Sequence, residues 1–286
     1  MRLGVTGMIP GDFNHIDEQL VRRIAELDFS GVGAPLVSDP KTVSPALCQR
    51  VRSILAQHGI RLVQFWGWYP SIISPDVSIC QAGIRTVQEL IRLGADLGTA
   101  MVGVRPTSLN PRGPWWPHPG NYEAATEDRL VGSLREIASA CEIHGLPISL
   151  ECHVTTTLNS AESVRRIIER TESKWVKMTM DAINFIDDFH TAYHTTELVN
   201  TLYDTLAPYI VAAHVKDVYV EDRHVVHVSE IIPGDGIFDF DTFFRRFEAL
   251  LPDGYALSEH LPESQIAQAQ VYVTQKLKAL NIPVMP

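Results

Sequence analysis

Eight short apolar segments alternate with longer amphipathic segments from one end of the 286-residue chain to the other. Short apolar runs predict buried β-strands and amphipathic segments predict α-helices, so the pattern predicts a repeated strand and helix unit. The predicted strands are residues 2–7, 31–36, 61–66, 100–105, 147–153, 176–181, 210–216 and 255–260. The predicted helices are residues 16–27, 45–58, 77–97, 122–144, 161–170, 196–206, 239–250 and 263–280. Eight units of roughly 36 residues predict an α/β protein with the (β/α)8 TIM barrel fold, a single domain spanning residues 1–286.

The main competing fold is a doubly wound open sheet, which binds nucleotides through a glycine-rich turn after its first strand. Here the first predicted strand is followed by Met-Ile-Pro-Gly-Asp at residues 8–12, not by a Gly-x-Gly-x-x-Gly turn. The sequence has no Walker-type phosphate loop, and no linker rich in Pro, Gly or Ser divides it. These observations favour the closed barrel.

Composition narrows the class of partner. With 24 Lys and Arg against 34 Asp and Glu, the net charge of −10 disfavours nucleic acid. No apolar run approaches the roughly 20 residues of a membrane span, and the first residues lack a signal-peptide core, so we expect a cytoplasmic protein with no membrane partner. The four cysteines are widely spaced without a Cys-x-x-Cys pair, which predicts reduced thiols.

Four consecutive predicted strands end in ionisable residues: Glu151, Asp181, His214 with Lys216, and Glu259. Burying one carboxylate per strand costs several kcal/mol unless each is paired, and carboxylates gathered at one barrel mouth repel one another. A divalent cation among three carboxylates and one imidazole resolves both problems, and this oxygen-rich donor set suits Mn²⁺, our first choice, or Mg²⁺ or Co²⁺. The alternative is that these groups pair with Arg or Lys of neighbouring loops, or face outward.

The second half of the chain resembles a known family. Residues 149–153 read Ser-Leu-Glu-Cys-His, residues 180–184 read Met-Asp-Ala-Ile-Asn and residues 213–218 read Ala-His-Val-Lys-Asp-Val. A turn at residues 230–240 reads Glu-Ile-Ile-Pro-Gly-Asp-Gly-Ile-Phe-Asp-Phe, and residues 257–259 read Leu-Ser-Glu. This ordered set resembles the sugar isomerase/epimerase family with a xylose-isomerase-like TIM barrel, over nearly the whole chain.

The resemblance implies that Glu151, Asp181, His214 and Glu259 ligate the metal, and that Glu151 and Glu259 face each other across the substrate as an acid/base pair. It also implies a homo-oligomer. Asn184 departs from the family pattern, because many of its epimerases carry His there. Asn cannot shuttle a proton, so we expect Asn184 to orient substrate, and a ketose 3-epimerase is disfavoured.

Such a site can remove a proton next to a carbonyl, giving an enediolate that a metal stabilises. Returning the proton isomerises or epimerises the substrate, whereas loss of a β leaving group completes an elimination. The leading hypothesis is a metal-dependent isomerase or epimerase acting on a small sugar or keto-sugar. The alternative is a lyase or dehydratase acting on a keto-sugar, an inosose or a 3-keto-glycoside. A related apurinic endonuclease is disfavoured by the acidic charge, and a non-catalytic barrel that binds a sugar or a partner subunit is also considered.

Three polar residues near strand ends are candidates for binding substrate. Lys216 and Arg105 would polarise a substrate oxygen or fix an anionic group, unless each merely balances nearby carboxylates. His153 lies two residues beyond Glu151, on the same side of the strand, where it binds a substrate hydroxyl or hydrogen-bonds a metal ligand. His260 alternates with Glu259, so we expect it to point into the helix layer or a loop.

Two tryptophan-rich segments follow the third and fourth predicted strands. Trp66 and Trp68 belong to the first, and Trp115 belongs to the second. Their flat apolar rings would stack on a sugar ring or an aglycone. The alternative is that they pack against each other or against a partner subunit.

Overall fold

The computed structural model describes residues 1–286 and shows a closed barrel of eight parallel strands. The barrel strands are β1 (Arg2–Val5), β2 (Gly31–Leu36), β3 (Arg61–Gly67), β4 (Met101–Val104), β5 (Ile148–Leu150), β6 (Val176–Met180), β7 (Ile210–Val215) and β10 (Tyr255–Ser258). Two further strands, β8 (Asp217–Val220) and β9 (Val228–Ile231), lie outside the barrel. The barrel order is β1-β10-β7-β6-β5-β4-β3-β2, and β8 pairs with β9 in a separate antiparallel hairpin. The predicted (β/α)8 barrel and all eight predicted barrel strands are confirmed.

The helices surround the barrel between its strands. They are α1 (Glu18–Glu26), α2 (Pro45–Gln57), α3 (Val77–Leu97), α4 (Ala124–His144), α5 (Ala161–Thr171), α6 (Phe189–Tyr193), α7 (Thr195–Leu206), α8 (Phe240–Leu250) and α9 (Glu263–Ala279). Each of the eight predicted helices is present, and the short α6 is an addition. No helix is both long enough and apolar enough to cross a membrane.

Local sequence signals set the helix boundaries. The Ser160 hydroxyl accepts from the Ser163 N–H at the start of α5, and the Asp239 carboxylate accepts from the Thr242 N–H at the start of α8. Gly145 ends α4 in the left-handed region at φ +63°, a conformation that favours glycine. All four cysteines are free thiols, as expected.

The parallel register brings the carboxyl ends of four strands to one edge of the barrel. Met180 on β6 is level with Ala213 on β7, and Leu257 on β10 is level with His214. Because β5 ends at Leu150, the following Glu151 lies at the same edge. This is the edge where TIM barrels carry their active sites.

The β8–β9 hairpin is held by Asp217, and it was not predicted as strands. The Asp217 carboxylate accepts hydrogen bonds from the backbone N–H groups of Val218, Gly234, Gly236 and Phe238. A Cβ atom at Gly236 would collide with this carboxylate and with the Val218 carbonyl, so the return segment fits only glycine there. The hairpin carries Glu230 to the barrel mouth.

Candidate metal centre and substrate cavity

Four side chains predicted to act together converge at the barrel mouth. One ligand atom from each of Glu151, Asp181, His214 and Glu259 lies within 4.8 Å of the others. His214 Nδ1 is 2.9 Å from Glu259 Oε2 and 3.6 Å from Asp181 Oδ2. Asp181, His214 and Glu259 are buried, whereas Glu151 is half-buried and faces the open space above them.

The hydrogen bonding of this cluster fits a divalent cation. His214 Nδ1, Glu259 Oε2 and Asp181 Oδ1 are buried and make no hydrogen bond, although the first two atoms are only 2.9 Å apart. Buried polar atoms without partners are rare and costly. These three atoms come from the ends of three strands and make no hydrogen bond, although Lys216 Nζ lies 3.2 Å from Glu259 Oε2, so together they form a set of ligands for a cation.

A buried hydrogen bond fixes the orientation of His214. Its Nε2 atom lies 3.0 Å from Gln64 Oε1, so Nε2 carries a proton, and Nδ1 faces Asp181 and Glu259, where a metal that displaced the Nδ1 proton would bind. The Gln64 amide donates to Thr179 Oγ1 at 3.4 Å, and Thr179 shares a 2.5 Å hydrogen bond with Ser149. Sequence analysis missed Gln64, although a polar residue inside the apolar third strand was a usable signal.

Lys216 supplies a positive charge beside the carboxylates. Its Nζ atom is 2.5 Å from Asp181 Oδ2, 3.2 Å from Glu259 Oε2 and 3.7 Å from Glu230 Oε1. Burial opposes the charge of Lys216, but these carboxylates outweigh it and raise its pKa. The structure therefore shows the charge-balancing role considered for Lys216, and its side chain also lines the cavity.

The two glutamates of the cluster sit in different electrostatic environments. Burial, reinforced by the charge of Glu259, raises the pKa of Glu151 to about 7. Burial would also raise the pKa of Glu259, but His214 and Lys216 lower it well below its usual value. Two nearby carboxyl groups whose pKa values are driven apart are suited to different proton-transfer roles.

A cavity of about 500 Å³ opens above the cluster, a size typical of small-molecule sites. Most of the predicted substrate-binding residues line it: Trp66, Arg105, Trp115, His153, Asn184 and Lys216. Glu151 and Glu259 lie in its wall, and Asn184 donates to Asp181 Oδ2 at 2.8 Å. Trp68 does not line this cavity. It is 69% exposed and lies on the adjoining surface.

His153 and Trp115 form one side of the cavity. The His153 ring lies edge-on to Trp115, with centroids 6.0 Å apart, and its Nδ1 atom is 2.8 Å from Thr155 Oγ1. Burial lowers the pKa of His153, so the imidazole is neutral near pH 7. Its Nε2 atom makes no hydrogen bond within the protein and remains available to a substrate.

The prediction that His260 points into the helix layer or a loop is wrong. His260 lines the cavity, and its Nδ1 atom is 3.0 Å from Glu230 Oε2. The reason lies in the backbone: at φ +58° His260 leaves the strand conformation, so the alternation of side chains that follows from a strand no longer holds. Glu230 is a second cavity residue that the sequence analysis quoted in a motif but did not place in the site.

Comparison with known proteins gives three kinds of similarity. The profile of the family described as "Xylose isomerase-like TIM barrel" matches residues 21–277. The inosose dehydratase of Geobacillus kaustophilus is 24% identical over 289 residues, covering 92% of this chain and 86% of that protein.

Two solved structures share the fold. The 3-keto-D-glucoside 4-epimerase from E. coli, in its apo form, matches with a TM-score of 0.70 and 18% identity over 96% of this chain and 99% of that chain. A xylose isomerase-like TIM barrel protein from Mycobacterium smegmatis in complex with magnesium matches with a TM-score of 0.73 and 16% identity, over 98% and 96% of the two chains. At these identities the solved structures establish the architecture.

Proposed function

The chain belongs to the xylose isomerase-like TIM barrel family, and we propose that it is a divalent-metal-dependent enzyme that removes a proton next to a carbonyl of a small sugar or keto-sugar. The observation that carries the proposal is the convergence of Glu151, Asp181, His214 and Glu259, with three of their buried ligand atoms making no hydrogen bond. We propose isomerisation or epimerisation as the outcome.

These four residues would hold the cation, with Mn²⁺ as the expected ion. A bound divalent cation would supply Lewis acidity that stabilises negative charge on the substrate oxygens next to the broken C–H bond. Gln64 would keep His214 in the tautomer that offers Nδ1, and Lys216 would limit repulsion among the carboxylates. Asn184 and His153 would orient substrate hydroxyl groups.

The proton would move between the substrate and the two glutamates in the cavity wall. Glu151 accepts a proton most readily near neutral pH, because burial raises its pKa to about 7. Glu259, held in its charged form, would face the other side of the reacting carbon. Return of the proton to the opposite face of the same carbon would give an epimer. Its return to the neighbouring carbon, with the hydroxyl proton moving to the former carbonyl oxygen, would give an isomer.

Dehydration is the second candidate. It is favoured by the 24% identity with an inosose dehydratase across 92% of the chain, and by Asn184, which cannot shuttle a proton. In this reaction a glutamate takes the α proton, and the β hydroxyl leaves as water after receiving a proton. The glutamate that takes the α proton would return it to the departing hydroxyl, and the ammonium group of Lys216, which lines the cavity, would hydrogen-bond that oxygen.

Exchange of hydrogen with solvent tests the shared first step of both candidates. The Mn²⁺-loaded protein would be incubated in deuterated water with panels of ketoses, inososes and keto-glycosides, and the products followed by NMR. We expect deuterium next to the carbonyl of at least one compound, loss of exchange on chelation and recovery with Mn²⁺. A new stereoisomer would identify an epimerase or isomerase, and loss of water a dehydratase. Exchange that persists in the chelated protein, or none with any panel, would refute the proposal.

A further inference from the structure

A second cavity, of about 420 Å³, opens beside the substrate cavity. It is lined by residues 35–37, 66–68 and 112–116 together with Arg105, and we call it the aromatic cavity. Trp66, Arg105 and Trp115 line both cavities and form a common wall. The two spaces are therefore adjacent, and a molecule bound at the metal centre would reach the aromatic cavity by passing along this wall.

The aromatic cavity presents flat apolar rings to its interior and to solvent. Trp68 is 69% exposed and Trp116 is 46% exposed, which is unusual for the largest side chain. The Arg105 guanidinium lies 5.0 Å from the Trp68 ring centroid, and the Arg112 guanidinium lies 4.2 Å from that of Trp116. These contacts hold the indole rings in place while leaving ring surface uncovered, as expected for a site that stacks on another ring.

The loop that carries Trp115 and Trp116 is ordered by its own hydrogen bonds. The Ser108 hydroxyl donates to the Trp116 carbonyl at 2.7 Å, and the Asn110 amide donates to the Pro117 carbonyl at 2.8 Å. The buried Asn121 side chain accepts from the Leu109 N–H at 2.9 Å. A preformed loop loses little conformational entropy when a ligand binds, which favours a recognition role over mere surface packing.

Arg105 lies at the junction of the two cavities with free donors. Its side chain makes one hydrogen bond within the protein, 3.4 Å from Nη1 to the Gly67 carbonyl. A guanidinium group has five N–H donors, so it retains several for an oxygen atom that bridges the two spaces.

We propose that the aromatic cavity binds the second ring of a glycoside whose first ring reacts at the metal centre. The feature shared by its ligands is a ring with an apolar face, sugar or aromatic, joined through a glycosidic oxygen near Arg105. This inference rests on the proposed function, and it assigns the substrate class as keto-glycosides rather than free monosaccharides.

Binding of matched ligands tests the inference without requiring turnover. Methyl glycosides, phenyl glycosides and disaccharides of glucose, galactose and mannose would be titrated into the Mn²⁺-loaded protein and followed by calorimetry. We expect the two-ring compounds of at least one sugar series to bind about tenfold more tightly than the methyl glycoside, the gain typical of one aromatic contact. Disaccharides and phenyl glycosides distinguish a sugar from an aromatic second ring.

Amino-acid variants test whether the aromatic cavity causes the tighter binding of two-ring compounds. Trp68→Ala and Trp116→Ala should remove the two-ring advantage, whereas Tyr193→Ala, an equally exposed aromatic residue on another surface, should preserve it. No two-ring advantage in any series, or an advantage that survives both tryptophan variants, would overturn the inference. A change in sedimentation of the tryptophan variants with unchanged glycoside binding would also overturn it and mark the surface as a subunit interface.

Different results would refute the proposed proton abstraction and the proposed aromatic subsite. Glu151→Gln should lower deuterium exchange about a thousandfold while the two-ring advantage remains, because Glu151 does not line the aromatic cavity. Loss of exchange in the unmodified protein with a retained two-ring advantage would refute the chemistry alone. Exchange on free monosaccharides with no two-ring advantage would refute the aromatic subsite alone.

Discussion

The two halves of the barrel mouth differ in chemistry. Strands β5, β6, β7 and β10 deliver carboxylates, an imidazole and an ammonium group within a few ångströms of one another. Strand β3 delivers Gln64 and Trp66, and strand β4 delivers Gly103 and leads into the loop that carries Trp115. One half is buried and charged, and the other is half-exposed and aromatic.

This difference separates reaction from recognition. In the charged half, Asp181 is held by Lys216 and Asn184, and Glu259 is held by Lys216. The aromatic half is held by hydrogen bonds from side chains to backbone carbonyl groups within its own loop. Substitutions in the charged half should therefore change the rate of proton abstraction, and substitutions in the aromatic half should change which substrates bind.

The largest expected effect is that of Glu151→Gln on proton abstraction. The amide cannot accept the substrate proton, so deuterium exchange should fall about a thousandfold, within the range known for general bases. Glu142→Gln, which alters an exposed residue of α4, serves as the control and should leave exchange unchanged. Near-normal exchange in Glu151→Gln with full metal content would contradict the assignment of this glutamate as the base.

Lys216→Met should cost about 3–5 kcal/mol of unfolding free energy, because it leaves Asp181 and Glu259 buried without their cation. Urea unfolding with and without Mn²⁺ measures this cost, and the divalent ion should restore part of the loss. Lys278→Met, at an exposed position of α9, should change stability by less than about 0.5 kcal/mol. Equal losses in the two variants would show that Lys216 does not balance the cluster.

Gln64→Leu should weaken Mn²⁺ binding by about 10- to 100-fold, because the His214 ring loses the acceptor that orients it. Calorimetric titration of the metal measures the change. Gln268→Leu on the exposed face of α9 is the matched control. Unchanged metal affinity in Gln64→Leu would mean that the neighbouring carboxylates alone fix the imidazole.

Asn121→Ala has the smallest expected effect, and it tests whether a change in the aromatic half affects the reaction in the charged half. The variant leaves the Leu109 N–H without its acceptor, and the Thr155 carbonyl and Ser108 hydroxyl without the Asn121 donor, so stability should fall by about 1–2 kcal/mol. Deuterium exchange on a substrate that binds without the aromatic loop should stay within a factor of about three. A loss as large as that of Glu151→Gln would show that the two halves do not act separately.

The sequence predicted the barrel well because every unit repeats the same local signals. Apolar runs that suit buried parallel strands, and caps such as Ser160 and Asp239, act over a few residues. The convergence of Glu151, Asp181, His214 and Glu259 was predictable because parallel strands end at one edge, and a family resemblance pointed to the same positions.

What the sequence did not predict depends on contacts between distant residues or on unusual backbone. The hydrogen bond from Gln64 to His214 joins residues 150 positions apart. His260 lines the cavity because of a positive φ that a strand pattern does not anticipate. Glu230 reaches the mouth because Asp217 folds the intervening chain back, which no local signal in residues 217–238 specifies.

The anchoring of four backbone N–H groups by Asp217 has a consequence for redesign of this protein. The return segment at residues 234–238 depends on one carboxylate, so an insertion within it would break several of these hydrogen bonds at once. The loop that begins after Arg105 has several independent attachment points instead. New substrate preferences are therefore best engineered by grafting sequence into residues 106–119.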